Sequence, residues 1–406
     1  MKGWNQVKLE DITTKIGDGL HGTPKYCDTG EYFFINGNNL KNGKINIKED
    51  TKRIDKFEYK KIIKELNDRT ILVAINGTLG NVGLYNGEKV ALGKSACYFN
   101  INKGVDKHYI RYVVENSKFQ NYAQSAATGA TIKNLSLKAM REYTFFLPAF
   151  STQTQIASVI SSYDDLVENN QKRIKILEEM AQRLYAEWFV NFKFPRHGKV
   201  KMIDSGTEFG MIPEGWRLEK IKQVARVNDS SIKKQNAPEI INYISIADVS
   251  TGKIDNQEVL KFSKAPSRAR RIINHGDIIW STVRPNRKSY ALLLYPDQNT
   301  VVSTGFAVLT SKDVSFSYLY HWTTAQKFVD YLVNNAKGSA YPAVSGSDFE
   351  KAEILIPSKD VQRMFADIVD KYYEDKNILE KLNVDLSKSR DLLIENLVTG
   401  KKLLKK

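Results

Sequence analysis

LPAFSTQTQIASVI (Leu147–Ile160) and IPSKDVQRMFADIV (Ile356–Val369) spell one helix opening twice, 209 positions apart. Each has a proline (Pro148, Pro357), a glutamine five residues on (Gln153, Gln362) and apolar residues in register: Ile156 with Phe365, Ala157 with Ala366, Val159 with Ile368. The match extends outward. Gly3-Trp4 is echoed by Gly215-Trp216, and Leu9 and Ile12 are answered by Ile221 and Val224. The turn NGKI (Asn42–Ile45) answers TGKI (Thr251–Ile254), each set between two short β-type runs: EYFFING and INIKED in one copy, INYISIA and IDNQEVL in the other. Strand-like TILVAI (Thr70–Ile75) and DIIWST (Asp277–Thr282) follow, and Gly129 and Gly338 precede matching segments that run to the two prolines. A period this long marks a duplicated domain, not a solenoid.

Each copy therefore reads as roughly 145 residues of mixed short strands and loops, then a helix of about 40 residues. The two helices carry the apolar rows Leu177, Ala181, Leu184, Trp188 and Leu386, Leu393, Leu397, a coiled-coil type of stripe. The expected fold class is α+β: two mixed α/β domains separated by two long antiparallel coiled-coil helices, related by a pseudo-twofold internal repeat. The expected boundaries are 1–147 and 213–356 for the domains, 148–194 and 357–406 for the helical regions, and 195–212 for a linker. At about 1.5 Å per residue, such helices span about 50 to 60 Å. That is a ruler, and if the domains read DNA it is set against the roughly 34 Å turn of the B-form duplex.

The 406 residues are 42% hydrophobic and 26% charged, as in a soluble globular protein. No run approaches the roughly 18 apolar residues of a membrane span, and the first residues lack the apolar stretch of a signal peptide, so a cytoplasmic protein without membrane association is expected. Cys27 and Cys97 lie far from any CxxC spacing and read as packing residues. A formal charge of +15 favours a polyanionic partner such as nucleic acid.

The candidate DNA-binding residues fall in clusters. In the second copy, KAPSRARRIINHGDIIWSTVRPNRKSY (Lys264–Tyr290) sets Arg268, Arg270, Arg271, Arg284, Arg287 and Lys288 against one acid, Asp277, with Thr282 and Asn286 among them. Arg284 and Arg287 flank a stiff Pro285 loop suited to guanine edges; Arg270 and Arg271, ahead of the strand, suit phosphates. The alternative is a solvated surface run. The first copy is richer in amides: DGLHGTPKY (Asp18–Tyr26), INGNNLKNG (Ile35–Gly43) with Asn36 and Asn38, and INGTLGNVG (Ile75–Gly83) with Asn76, Thr78 and Asn81. Asparagine can pair with adenine, although any single Asn is also an ordinary turn residue. ATGATIKNLS (Ala127–Ser136), with Thr131 and Lys133, and AKGSAYPAVS (Ala336–Ser345), with Tyr341, are either backbone clamps on phosphate or plain loops.

No GxxxxGK[ST] loop and no Asp-Pro-Pro-Tyr type tetrad of an amino-methyltransferase is present, and the five histidines form no close metal-ligand pair. A fused methyltransferase or nuclease is one alternative reading, and a coiled-coil scaffold without a DNA role is another.

PAFSTQTQIASVISSYDDLVENNQKRIKILEEMAQRLYAEWFVNFKFP (Pro148–Pro195) and GMIPEGWRLEKI (Gly210–Ile221) resemble the central conserved region and second-domain opening of type I restriction-modification specificity subunits, and the likeness spans the whole chain. The resemblance implies two target recognition domains, each reading one part of a split, asymmetric double-stranded DNA target. It also implies paired helices that dock two methyltransferase subunits, and restriction subunits that join them. S-adenosylmethionine, ATP and Mg would sit on those partners, leaving this subunit without cofactor, metal or catalytic residues. DGLHGTPKY is similar to a recurrent family loop, which places His21, Thr23 and Lys25 near DNA. STVRPNRK likewise points to Arg284, Asn286 and Arg287.

Overall fold

The two matching helix openings form for the same local reason. Strands Thr144–Leu147 and Glu353–Ile356 run into Pro148 and Pro357, and the chain turns into a long helix. One turn later the buried Gln153 and Gln362 fold back, their Nε2 groups donating to the carbonyl oxygens of Pro148 and Pro357 at 2.8 and 2.7 Å. Each bond satisfies an acceptor that the proline corner would otherwise bury unpaired. The helices are Phe150–Tyr185 and Lys359–Leu393, each closed by a π-helical turn, Ala186–Val190 and Ile394–Val398.

The computed structural model describes residues 3–404. It divides into one unit of Met1–Asn169 and Leu382–Lys406, and a second of Asn170–Lys381, so each unit takes part of both long helices. In the first unit an antiparallel sheet runs in the order Thr13–Asp18, Ala96–Ile101, Thr70–Ala74, Val82–Leu84. A smaller sheet pairs Arg53–Ile54 with Tyr32–Ile35, and the latter in parallel with Val90–Leu92. The second unit repeats the plan. Ala225–Val227, Phe306–Ser311, Ile278–Ser281 and Tyr290–Leu292 form the counterpart of the first sheet. Glu258–Lys261, Ile240–Ile244 and Thr300–Ser303 form the counterpart of the second, again with one parallel pair, and an additional strand, Ala269–Ile272, makes it four-stranded as well.

The central strands TILVA and IIWS are buried on both faces, as their continuous apolar runs require. The NGKI and TGKI turns are hairpins, but with arms of only two residues; EYFFING contributes Tyr32–Ile35 to the smaller sheet instead. Short helices also interrupt what the sequence suggested to be strands and loops. Lys107–Glu115, Ser117–Ala126 and Leu137–Glu142 are capped by Asp106, Asn116 and Ser136; Phe316–Thr324, Gln326–Asn335 and Gly346–Lys351 are their counterparts. Tertiary burial stabilises helices this short, whose own periodicity is too brief to read.

Within each unit the long-helix segments are antiparallel. In the first, the start of one helix (Ile156, Ala157, Ile160) shares a buried cluster with the end of the other (Ile394, Leu397, Val398). In the second, Ala181, Tyr185 and Trp188 meet Val361, Phe365, Val369 and Tyr373. Of the residues expected to pair the helices, Trp188 and Leu397 are buried in the π-helical turns; Leu177, Leu184, Leu386 and Leu393 are half-buried. Leu166, Ile176, Met180, Ile378, Leu382, Val384 and Leu392 stay exposed. Cys97 is buried, which pushes its thiol pKa up, and Cys27 is half-buried. Among the described residues no helix is long and apolar enough to cross a membrane.

Candidate nucleic-acid interface

In the first unit the fold joins four of the singled-out stretches into one surface. Leu20 N–H donates to Leu92 O at 2.7 Å, which fixes the His21 loop beside the turn Gly93–Lys94–Ser95. Gly93 N–H donates to Ile35 O, and Gly37 N–H to Ser95 Oγ, which brings in the Asn36–Asn39 loop. A Cβ on Gly37 would lie 2.8 Å from Ala74 Cβ and 3.2 Å from Thr78 Oγ1, so glycine permits the close approach to the strand-exit loop. That loop pairs onward through Asn76 with Asn134 of the Ala127–Ser136 segment.

His21, Thr23, Lys25, Asn38, Thr78, Thr131 and Lys133 are exposed, and Asn76 and Asn81 are half-buried. His21 Nε2 lies 2.5 Å from Asp18 Oδ2. Asn36 is different: it forms a capping box with Asn39, and its Oδ1 also accepts from Ser95 Oγ at 2.9 Å, so its side-chain oxygen is committed to the fold. Two groups of cations in this unit escape a reading of the sequence. Lys94 is exposed on the turn between the other loops. Lys56, Lys60 and Lys61 are exposed on helix Lys56–Ile62, which holds the Lys25 backbone through Glu58 Oε1 at 3.1 Å. Their signal was the run KRIDKFEYKKIIK, whose interspersed acids hide its net charge.

The second unit assembles the corresponding surface. Ser245 and Asp248 form a capping box where Asn36 and Asn39 do. Thr282 donates to Gly305 O through both N–H and Oγ1 at 2.9 Å, and Thr304 N–H donates to Arg268 O at 2.8 Å. The strand-exit loop again meets the returning segment: Val344 N–H donates to Thr282 O, and Arg284 N–H to Pro342 O at 2.7 Å. The guanidinium of Arg284 lies 4.6 Å from the Tyr341 ring centroid and reaches Ala340 O at 3.3 Å. Arg284 and Lys288 both adopt left-handed φ, 52° in each case, and frame the Pro285–Arg287 turn.

Arg268, Asn286, Arg287 and Tyr341 are exposed, while Lys288 is held by Gln326 Oε1 at 2.8 Å. Thr282 serves the fold through its Oγ1 bond. Arg270 and Arg271, ahead of strand Ile278–Ser281, lie on a strand of their own, Ala269–Ile272, where Arg270 covers the Phe262 ring at 4.6 Å and Arg271 Nε is buried without a hydrogen-bond partner. The acid within the basic stretch, Asp277, is buried and accepts from Thr310 Oγ1 and Asn274 N–H, both at 2.6 Å, so it does not face the arginines as a surface charge. Burial raises its carboxyl pKa. Among the described residues, no group of three or more His, Cys, Asp or Glu side chains is placed to hold a metal ion.

The family model for the type I restriction modification DNA specificity domain matches residues 1–179 and 213–386. The MjaIX type I restriction enzyme specificity subunit of Methanocaldococcus jannaschii is 25% identical over 430 residues, covering 98% of this chain and 93% of that protein. The HindI specificity subunit of Haemophilus influenzae is 24% identical over 158 residues, 38% of this chain and 34% of its own. In fold, the chain resembles the crystal structure of the type I restriction-modification S subunit from M. genitalium, with a TM-score of 0.59 at 17% identity over 99% of this chain and 96% of that one. With the family model covering both repeats, the chain belongs to the type I restriction-modification DNA specificity family, as a non-catalytic specificity subunit with two recognition domains.

Proposed function

We propose that residues 1–147 and 213–356 each read one part of a bipartite, asymmetric duplex DNA target, while the long helices set the spacing between the two parts and dock two methyltransferase subunits. Restriction subunits join that assembly in the cytoplasm, and S-adenosylmethionine, ATP and Mg belong to the partners. The observation that carries this reading is the repeated loop assembly: two units of one topology gather the same loops, and the loops differ in chemistry. The first offers amides and lysines, the second arginines beside a tyrosine. Two unlike readers suit a target with two unlike halves. The exposed apolar residues on the long helices supply a surface on which partner helices can pack.

Methylome sequencing of the source cell with and without this gene identifies the target, and loss of no methylated motif on deletion would refute the reading. On that target the assembled methyltransferase carrying Arg284→Ala or Arg287→Ala should bind about 1–3 kcal/mol more weakly, with less change on scrambled DNA. Arg270→Ala should weaken both DNAs alike and reduce the salt slope by about one unit. Equal losses on both DNAs for the Arg284 and Arg287 variants would reassign those arginines to phosphate.

A further inference from the structure

The returning loops of the two units share one architecture. Thr128 and Asn134 exchange both backbone hydrogen bonds, at 3.0 and 2.8 Å, and Lys337 and Ala343 do the same at 2.9 Å. Each closes a five-residue loop that starts with a left-handed glycine, Gly129 at φ 108° and Gly338 at φ 99°. The next residue ties the loop to the strand exit: Leu135 N–H donates to Ile75 O at 2.8 Å, and Val344 N–H to Thr282 O at 2.9 Å. Then Ser136 and Ser345 cap a short helix. Both ends of the loop are thus anchored, and its tip is presented in a fixed direction.

At the same tip position stand Ile132, 60% exposed, and Tyr341, 69% exposed. A lone exposed hydrophobe needs no explanation. Here a large apolar side chain recurs at one position of a doubly anchored loop, although the loops differ at most other positions. Its surroundings are polar and cationic: Lys133 beside Ile132, and Arg284 braced against one face of the Tyr341 ring. Neither tip belongs to a buried cluster of its own unit.

Resting on the reading that these surfaces bind duplex DNA, we infer that Ile132 and Tyr341 are apolar wedges, one per recognition domain, which enter between base pairs and unstack a step in each half of the target. Cations next to an apolar tip suit this use: phosphate attraction holds the duplex against the loop, and the tip replaces base-to-base stacking with side-chain contact. An isoleucine offers only bulk, whereas a tyrosine also offers a ring face for stacking. The consequence is readout without hydrogen bonds, because a pyrimidine–purine step opens more readily than others. Specificity then extends to positions that no arginine or asparagine touches.

The test uses the full chain assembled with its methyltransferase subunits and a duplex bearing the motif that the complex methylates. 2-Aminopurine replaces bases one at a time, away from the methylated adenines. The wild-type complex should raise its fluorescence several-fold at one step in each half. Ile132→Ser should abolish the rise in the half read by the first unit only, and Tyr341→Ser in the other half only, each weakening cognate binding by about tenfold, the size of one mismatched base pair. Ile132→Leu and Tyr341→Phe should restore the signal. Tight cognate binding with no fluorescence rise, or a rise that both serine variants retain, overturns the wedge and leaves the recognition reading intact. Failure of the wild-type complex to prefer its motif overturns both. If the serine variants lose assembly with the methyltransferase subunits, the tips dock a protein and the wedge is likewise overturned.

Discussion

The two places where a long helix begins are built on matching positions and opposite chemistry. In the first unit, Arg111 Nη2 lies 2.8 Å from Asp164 Oδ2, although off the hydrogen-bonding direction, and its Nε donates to Glu115 at 3.0 Å. Asp164 also accepts from Tyr112 Oη and from Arg390 Nη1, both at 2.9 Å. Burial alone would lower the Arg111 pKa, but Glu115 and Asp164 hold it above its ordinary value. Moving each residue by 209 positions gives Tyr320, His321, Tyr373 and Ala181 in place of Arg111, Tyr112, Asp164 and Arg390. There His321 Nε2 meets Tyr373 Oη at 2.9 Å, and rings of Tyr185, Phe365 and Tyr320 pack around them. Even the hairpin glycines follow: a Cβ on Gly43 would lie 2.3 Å from Arg111 Cζ, one on Gly252 3.3 Å from Tyr320 Oη. One backbone plan thus accepts either a charge network or an aromatic cluster.

The difference can be broken most severely at Asp164. Asp164→Ala should leave Arg111 with Glu115 alone and Arg390 with Asp391 alone, and remove the acceptor of Tyr112, destabilising the first unit by about 3 kcal/mol. Hydrogen exchange should show lost protection in Lys107–Glu115 and at the end of the second long helix, with the second unit unchanged. The counterpart Tyr373→Phe removes only the hydroxyl partner of His321, and should cost about 1–3 kcal/mol, read as protection lost in Phe316–Thr324.

Acid should separate the junctions further. Burial drives His321 down to about 3, below the value near 6.5 of an unfolded histidine. The unfolded chain then binds more protons between those limits, so this contribution to the second unit's stability is complete above about pH 6.5 and is lost as pH falls toward 3. His321→Phe should flatten that part of the pH profile, measured by thermal unfolding from pH 7 to 4. Asp370 acts in the opposite sense: burial raises its carboxyl pKa to about 6, and its Oδ1 is buried without a hydrogen-bond partner. Because the folded chain holds that proton more tightly, stability is lost as pH rises through 6. Asp370→Asn should stabilise by no more than about 1–2 kcal/mol at pH 8, with the gain vanishing near pH 4. Smallest of all, Lys44→Ala, which removes an exposed pair with Glu168 at 2.7 Å, should change urea unfolding by less than about 1 kcal/mol.

Much of this was legible in the residues. The proline and glutamine pairs, the Gly-Trp echoes and the hairpin glycines all occupy equivalent places in the two units, because local backbone requirements leave local signatures. The junction chemistry was not legible, since Asp164 meets Arg390 only after the chain has closed on itself. Nor could composition tell Asn36 from Asn38: one caps a turn and the other is exposed, and only the three-residue spacing to Asn39 hinted at a capping box. The strand that carries Arg270 and Arg271 left no signal of its own because no alternation marks it. Nothing in the sequence marks Lys94, because the loops beside its turn are brought there by strand order.

The glutamine tie at each proline corner also has a mechanical meaning. A helix leaving a strand through an unbraced proline could swivel about two or three backbone angles. With Gln153 and Gln362 bonded back across the corner, and Gln153 Oε1 also accepting from Asp106 N–H at 2.9 Å, the joint is welded at three points of the chain. Twisting the helix against the strand that enters it would have to break these bonds, so strand and helix turn together.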